Sequence, residues 1–282
     1  KLLAGLQANK AASILWKIGL RGPVRKGILE KLGGRLRLMI SGGAPADPQM
    51  LKGLEELGLK AREGYGITEC SPVLTLSPMD APIRPGSCGK PLPGVEIRIF
   101  DANAEGVGEL AAKGDNVMKG YYNNPAATAD VFRDGWFLTG DLGYIDADGY
   151  VFITGRKKAL IVNREGKNIY PEEVELQINQ SPLILESVVL GYRPPGETVG
   201  EQVGVIVVPD EEGIAALEAA EKRKFSEAEI EARLRAEVKK QVAALADYKH
   251  PRRVQIRWEE FGKTSTGKIK RYLYAMSEAA PE

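Results

Sequence analysis

Two short glycine-rich segments in the first third of the chain carry groups suited to holding a flat ring and phosphate oxygens. Residues 41–45 read Ser-Gly-Gly-Ala-Pro, and residues 64–69 read Gly-Tyr-Gly-Ile-Thr-Glu. Glycines let the backbone approach a planar ligand closely, and a tyrosine ring offers a large contact area. The Thr68 hydroxyl can donate to a phosphate oxygen, and the Glu69 carboxylate is a ligand type that Mg²⁺ prefers. Taken alone, the segments equally suit tight turns, a core tyrosine and a solvated glutamate.

Three later segments add charged groups of complementary types. Asp141 follows Thr139-Gly140, and its two acceptor oxygens suit a vicinal diol. Arg156 opens the run Arg-Lys-Lys, and its fork of donors suits oxygen acceptors. Lys268 lies in Thr-Ser-Thr-Gly-Lys, where a glycine loop could carry a point cation toward an anionic ligand. The alternative interpretations are a turn cap for the aspartate and solvated basic surface for the cations.

The elements that must position these residues change in type along the chain. Residues 1–35 look mainly helical, with a break near residues 19–23. Alternation over residues 35–40, a helix over 48–57 and a strand over 59–62 indicate a parallel α/β layer. Short alternating runs at 95–100, 108–112, 143–146 and 150–153, separated by Asp-Gly turns, indicate an antiparallel β-rich unit over 84–156.

The pattern changes again after residue 156. Strands are predicted at 159–162, 187–190 and 203–208, the last a continuous β-branched run typical of a central strand. Pro171 opens a helix, and Ser226 with Glu229 forms a capping box before an apolar stripe over residues 230–245. We therefore predict an α/β plus α+β fold class, with residues 157–282 forming a small α+β domain.

Composition limits the classes of function. The 39 basic and 38 acidic residues give a net charge of +1, which offers no global field for nucleic acid, so no nucleic-acid partner is predicted. Two isolated cysteines, Cys70 and Cys88, favour a reducing compartment, and we expect a cytoplasmic protein. The sequence contains a single histidine, His250, to which we assign no catalytic role.

Read together and in order, these motifs resemble the adenylate-forming (AMP-binding) superfamily. The segment over residues 166–175, Gly-Lys-Asn-Ile-Tyr-Pro-Glu-Glu-Val-Glu, is most similar to the long-chain fatty acyl-CoA synthetase branch. The resemblance implies a ligase that converts a carboxylic acid and ATP to an acyl-adenylate and pyrophosphate, after which the thiol of coenzyme A displaces AMP. It implies ATP/AMP, Mg²⁺ and coenzyme A as cofactors or substrates, with a fatty acid as the acid.

The resemblance also assigns roles to individual residues. The expected nucleotide-binding residues are Gly42, Gly43, Ala44, Tyr65, Gly66, Asp141 and Arg156. Thr68, Glu69 and Lys268 are expected to act in catalysis, and Glu69 is also the expected metal ligand. Lys158 corresponds to the hinge about which the family's small domain swings, and Gly166 to the loop that lines the pantetheine tunnel.

On the same resemblance, residues 1–156 are the C-terminal remainder of a large adenylation domain, with an α/β segment over about 1–83 and a β-rich subdomain over about 84–156. Residues 157–282 are a small mobile C-terminal domain. The family's phosphate-binding loop, expected upstream of Arg35, does not occur in these 282 residues. We therefore expect a C-terminal fragment that is inactive alone, since the loop's backbone donors grip the phosphates.

Two alternatives remain open. An acyl-carrier-protein ligase of the same fold would carry the same Asn-Ile-Tyr-Pro-Glu-Glu segment, and a non-catalytic nucleotide-binding module would need only the adenine and ribose contacts. Small-molecule substrates are the expected partners. Peripheral membrane association of the parent protein is left open, and no oligomeric state is predicted.

Overall fold

The computed structural model describes residues 21–44, 46–265 and 267–276. The described chain divides into two compact units. The first runs to Thr139 and includes Gly143–Ile153, and the second comprises Gly140–Leu142 and the chain from Thr154 onward. The helices expected over residues 1–20 lie outside the described residues. No helix in the described ranges is both long and apolar enough to cross a membrane.

The elements up to residue 156 are, in chain order, α1 (Arg21–Lys31), β1 (Met39–Ser41), α2 (Pro48–Glu56), β2 (Ala61–Tyr65), β3 (Thr75–Leu76), β4 (Lys90–Pro91), β5 (Glu96–Phe100), β6 (Gly108–Lys113), α3 (Pro125–Val131), β7 (Phe132–Arg133), β8 (Trp136–Ile145) and β9 (Val151–Arg156). The later elements are β10 (Ile161–Val162), β11 (Asn168–Ile169), α4 (Pro171–Ile178), β12 (Ile184–Tyr192), β13 (Gln202–Pro209), α5 (Glu211–Glu221), α6 (Glu227–Gln241) and β14 (Arg253–Ile256).

The α/β layer of the first unit is a four-stranded sheet in the order β1-β2-β3-β4, in which β1 and β2 run parallel. The predicted strands are present, but both begin later than expected. The alternation over residues 35–38 lies outside the ladder because β2 starts at Ala61, which pairs with Met39. Of the helix break expected near residues 19–23, residues 21–23 lie in α1, and residues 19 and 20 lie outside the described residues.

The β-rich sheet has the order β5-β6-β8-β7, with β9 paired to β8, and its β5–β6 and β7–β8 pairs run antiparallel. Its core combines Leu110 of β6, Phe137 of β8 and Val151 of β9 with residues of the first sheet's loops. The run predicted at 143–146 is the end of a longer strand, β8. Helix α3 was not predicted, although Asn124 caps it by accepting from the N–H of Ala127.

A three-stranded sheet in the order β12-β13-β14 organises the second unit. The predicted central strand is confirmed as β13, and its alternate residues face opposite sides. Val205 and Val207 pack against α4 and α6, whereas Ile206 and Val208 pack with Phe261. Burial on both faces explains the continuous β-branched run.

Helix α6 begins as predicted. The capping box at Ser226 and Glu229 is present in both directions. The apolar stripe supplies Leu234, Val238 and Val242 to the core, each 1% exposed. The small domain therefore depends on a packed helix face whose start is fixed by the local sequence.

Candidate functional site

The two glycine-rich segments lie at the same edge of the first sheet. β1 ends at Ser41 and β2 ends at Tyr65, and the two strands are parallel, with Ser41 opposite Glu63. Their carboxyl ends therefore point the same way, which is where ligands bind in open α/β sheets. Gly42, Gly43 and Ala44 are exposed. A Cβ on Gly42 would lie 3.3 Å from the carbonyl oxygen of Gly64, so the turn lies directly against the second segment.

A buried carboxylate fastens this turn to β2. Glu63 is 8% exposed, and its Oε1 accepts a hydrogen bond from the Ala46 N–H at 3.0 Å. Burial raises the pKa of Glu63, and the hydrogen bond from Ala46 opposes that rise. The sequence motifs do not single out this residue. A glutamate inside a short buried strand, immediately before Gly-Tyr-Gly, was the available signal.

Tyr65 lies in the core of the first unit. It is 9% exposed and belongs to a cluster with Cys70, Leu74 and Cys88. This placement agrees with the alternative interpretation of a core tyrosine, and adenine stacking stays a prediction. Gly66 has a packing reason to be glycine, since a Cβ there would lie 1.7 Å from the carbonyl oxygen of Pro72.

Thr68 and Glu69 lie in a 3₁₀ turn, Thr68–Cys70, that follows β2. Thr68 is exposed and Glu69 is half-buried. The Tyr121 hydroxyl donates to Glu69 Oε1 at 3.0 Å. Burial and the Glu69 carboxylate both raise the pKa of Tyr121, so the phenol stays a donor. Tyr121 is a second residue that the motif comparison had missed.

The donor set around Glu69 fits a metal ion held mainly by ligand oxygens and water. No group of three or more His, Cys, Asp or Glu side chains in the described residues could hold a metal by protein atoms alone. Glu69 offers one carboxylate whose Oε1 is already oriented by Tyr121. Mg²⁺ is commonly bound through one or two carboxylates together with substrate phosphates. The residues present therefore fit that mode of binding.

In the second unit the structure brings Asp141 and Arg156 together. Asp141 is 4% exposed and lies on β8, while Arg156 ends β9. The Arg156 Nε lies 2.9 Å from Asp141 Oδ1, and the arginine side chain is 55% exposed. Gly140 has a φ of +73°, a left-handed conformation that glycine adopts at little cost. The pair thus places the buried carboxylate of Asp141 beside the exposed guanidinium of Arg156.

Lys158 and Gly166 occupy local turns. Lys158 is exposed in a 3₁₀ turn, Lys157–Ala159, that follows β9. Gly166 closes the β10–β11 hairpin with a φ of +74°, and its N–H donates to the carbonyl of Asn163 at 3.0 Å. A Cβ on Gly166 would meet nothing within 4 Å. The turn itself explains this glycine, and its coenzyme A contact stays a prediction.

Lys268 lies on the loop of a small hairpin whose stem is the antiparallel bridge between Lys263 and Ile269. The Thr264 N–H donates to the Lys268 carbonyl at 2.8 Å, and the Lys268 N–H donates to Thr264 Oγ1 at 3.1 Å. The Lys268 side chain is exposed. These bonds join Thr264 to Lys268 across the loop, while the Lys268 ammonium stays accessible to a ligand.

The arrangement can be compared with known proteins. A family model described as AMP-binding enzyme matches residues 6–122. The long-chain-fatty-acid–CoA ligase of Yersinia pestis is 37% identical over 243 residues, which cover 84% of this chain and 39% of that ligase. The chain belongs to the adenylate-forming, AMP-binding superfamily.

Other members of this superfamily show similar relationships. The oxalate–CoA ligase of Arabidopsis thaliana is 37% identical over 249 residues, covering 86% of this chain and 44% of the relative. The structure of O-succinylbenzoate coenzyme A synthetase (MenE) from Bacillus subtilis, in complex with ATP and magnesium ion, has a TM-score of 0.68 and 30% identity. The structural match covers 84% of this chain and 46% of that synthetase. The chain thus spans less than half the length of each of these superfamily members.

Proposed function

We propose that the whole protein is an adenylate-forming acid–thiol ligase, which joins a carboxylic acid to coenzyme A through an acyl-adenylate. The observation that carries the proposal is the placement of residues 42–44 and 64–69 at the carboxyl ends of the paired parallel strands β1 and β2. This edge presents exposed glycine backbone, a hydroxyl and a carboxylate within two neighbouring loops. Such groups suit a purine nucleotide with its phosphates.

Each nucleotide group has a residue of matching chemistry. Gly42, Gly43 and Ala44 offer backbone to the adenine, while Asp141 accepts from ribose hydroxyls beside Arg156. The Thr68 hydroxyl donates to phosphate oxygen, and Glu69 would hold Mg²⁺ with its carboxylate oriented by Tyr121. Mg²⁺ held there would supply positive charge that offsets part of the phosphate charge. These residues act by binding and orientation rather than by proton transfer.

Lys268 supplies the positive charge for the first half-reaction. The substrate carboxylate and the α-phosphate are both anionic and repel each other as they approach. An ammonium group between them offsets that repulsion and holds the reacting atoms in line. The position of Lys268 suits such a role because its side chain is exposed on the loop that the Lys263–Ile269 bridge closes. We further propose a fatty acid as the substrate, a choice supported by the similarity to the Yersinia pestis ligase.

The test is a half-reaction assay on the whole protein with Lys268→Ala. Pyrophosphate exchange driven by a fatty acid should fall by roughly 10²-fold or more, as for loss of a preorganised charge contact. Thioester formation from supplied acyl-adenylate should largely survive. Lys239→Ala is the matched control, because Lys239 is an exposed lysine on α6. Unchanged pyrophosphate exchange in Lys268→Ala would contradict the proposed role.

The same preparation of the whole protein can be used to identify the thiol acceptor and the carboxylic acid substrate. Supplying coenzyme A or a carrier protein with several acids, including oxalate and succinylbenzoate, identifies the preferred pair. Faster transfer to carrier protein would replace coenzyme A in the proposal. The 282-residue chain assayed alone should show no pyrophosphate exchange, since its sequence contains no phosphate-binding loop. Robust exchange by that chain would overturn this expectation.

We propose Lys158 as the hinge of the small domain. It lies in a short turn immediately after β9, and element ends commonly absorb large backbone changes. Lys158→Pro fixes φ and should slow thiol transfer more than adenylation. The neighbouring Lys157→Ala tests whether loss of charge in the same turn has any such effect. A larger loss of adenylation than of thiol transfer in Lys158→Pro would count against the hinge.

A further inference from the structure

The hairpin that carries Lys268 is attached to the second unit on both sides of its stem. The stem is the bridge between Lys263 and Ile269, and the chain leaves it through a 3₁₀ turn, Arg271–Leu273. The side chains of Phe261, Ile269, Tyr274 and Met276 pack with Val188, Ile206 and Val208. Apolar contact is non-directional. It therefore attaches the hairpin to the sheet without fixing the position of Lys268 along the sheet surface.

On the incoming side the attachment is Glu186 of β12. Its Oε1 accepts from the Phe261 N–H at 2.9 Å, and its Oε2 lies 2.9 Å from Lys263 Nζ. The Lys263 ammonium also contacts Glu260 at 2.8 Å. The Glu186 side chain is only 13% exposed. Both oxygens of one shielded carboxylate therefore bind the segment that leads into the loop.

On the outgoing side the attachment is Arg271. Its Nη1 donates to the carbonyl of Val189 at 3.2 Å, and its Nη2 forms an ion pair with Glu175 Oε2. Glu175 Oε1 in turn accepts from the Val189 N–H at 2.6 Å. The Glu175 and Arg271 side chains are 11% and 28% exposed. The guanidinium is thus held by two acceptors of different elements, α4 and β12.

Both attachments use the same strand, at Glu186 and Val189 of β12. Charge-assisted hydrogen bonds with two partners fix direction as well as distance. A shielded ion pair of this kind adds little net stability, because desolvation offsets the Coulomb attraction, but it does select one geometry. We propose that Glu186 and the Glu175–Arg271 pair form a two-point clamp that positions Lys268. The inference rests on the proposed function, in which Lys268 stabilises the adenylation step.

The decisive experiment combines Arg271→Met with Lys268→Ala in the whole protein. Arg271→Met alone should lower kcat for pyrophosphate exchange by roughly 10- to 100-fold, as for a displacement of about 1 Å, with KM for ATP little changed. Thiol transfer from supplied acyl-adenylate should change much less. Added to Lys268→Ala, Arg271→Met should have no further effect on exchange, because the group that it positions is gone.

Three further variants separate positioning from folding. Arg271→Lys keeps the charge and should restore part of the lost kcat. Glu186→Gln loosens the opposite attachment and should reproduce the selective loss of exchange, even where Arg271→Met folds poorly. Arg233→Met removes another arginine–glutamate pair, in which Arg233 of α6 lies 2.9 Å from Glu221 of α5, and should leave both half-reactions unchanged.

A readout independent of activity is available in the 282-residue chain. Amide hydrogen exchange at Lys268 and Ile269 should accelerate in Arg271→Met and in Glu186→Gln, while the amides of β13 keep their protection. Equal losses in both half-reactions, or an additive effect of Arg271→Met on Lys268→Ala, would overturn the clamp. If Lys268→Ala itself leaves pyrophosphate exchange intact, the proposed function fails. If Lys268→Ala lowers pyrophosphate exchange but Arg271→Met and Glu186→Gln do not, the clamp alone fails.

Discussion

Gly66→Ala should destabilise the first unit by about 3 kcal/mol or more, at the upper end of the range for overpacking. The new Cβ would lie 1.7 Å from the carbonyl oxygen of Pro72 and 2.7 Å from the Cα of Val73. Real Cβ contacts are essentially never below 3.0 Å, so the two backbone segments must separate by about 1.3 Å. They cannot separate freely, because the Leu74 N–H donates to the Tyr65 carbonyl at 2.8 Å.

The measurement is urea unfolding of the chain, followed by Trp136 fluorescence in a Trp16→Phe, Trp258→Phe background, which removes the other two tryptophans of the sequence. Trp136 belongs to the first unit and Trp258 to the second, so the signal reports the unit that contains the change. With a slope of about 1–3 kcal/mol/M, the midpoint should fall by about 1–3 M urea. Gly27→Ala is the control, because a Cβ there meets nothing within 4 Å inside α1.

The control should stabilise the chain by about 0.5–1 kcal/mol, as alanine does in place of glycine within a helix. A loss below about 1 kcal/mol in Gly66→Ala would refute the packing explanation, since it would mean that the turn relaxes without cost. The site would then owe its glycine to close approach by the ligand alone. The predicted loss needs no ligand in the assay, which is how the two explanations differ.

Three further outcomes are expected. Ser226→Ala should lower the free energy of unfolding of the second unit by about 1 kcal/mol, because α6 loses its N-cap; urea unfolding followed by Trp258 fluorescence in a Trp16→Phe, Trp136→Phe background measures this, and an unchanged midpoint would contradict it. The Ser226 N–H and the Arg223 guanidinium lower the pKa of Glu229 from 4.5 to about 2. Its contribution to stability is therefore present above pH 4.5 and lost as the pH falls toward 2, so Glu229→Gln should flatten the pH dependence of the melting temperature in that window; an identical slope would refute it. Burial, with a smaller contribution from the Glu69 charge, raises the pKa of Cys70 to about 11, so iodoacetamide at pH 8 should label it only in urea; rapid labelling of the folded chain would be inconsistent with its 0% exposure.

The sequence predicted best those features that neighbouring residues determine. The capping box at Ser226 and Glu229 was recognised because both partners lie within four residues. The β13 strand was recognised because burial on both faces gives a continuous apolar run. Strand limits in the first sheet were less accurate, because the start of β1 depends on where β2 offers a partner rather than on its own alternation.

The missed site residues depend on contacts between distant parts of the chain. Tyr121 reaches Glu69 across 52 positions, and Arg271 reaches Glu175 across 96. Nothing in a local pattern distinguishes such a tyrosine or arginine from a solvated one. The motif resemblance located the residues of the candidate site, whereas the structure added those that hold them in place, including Glu63.

The contacts that hold Arg271 also bear on association between molecules. In the described sheet, β12 pairs with β13 along one side, and the backbone N–H and carbonyl of Val189 are instead satisfied by Glu175 and Arg271. The side-chain pair thus occupies the position that a neighbouring strand would take. Exposed edge strands recruit strands from other molecules, and covering them prevents self-association. Variants that remove this pair should therefore leave an edge open to aggregation.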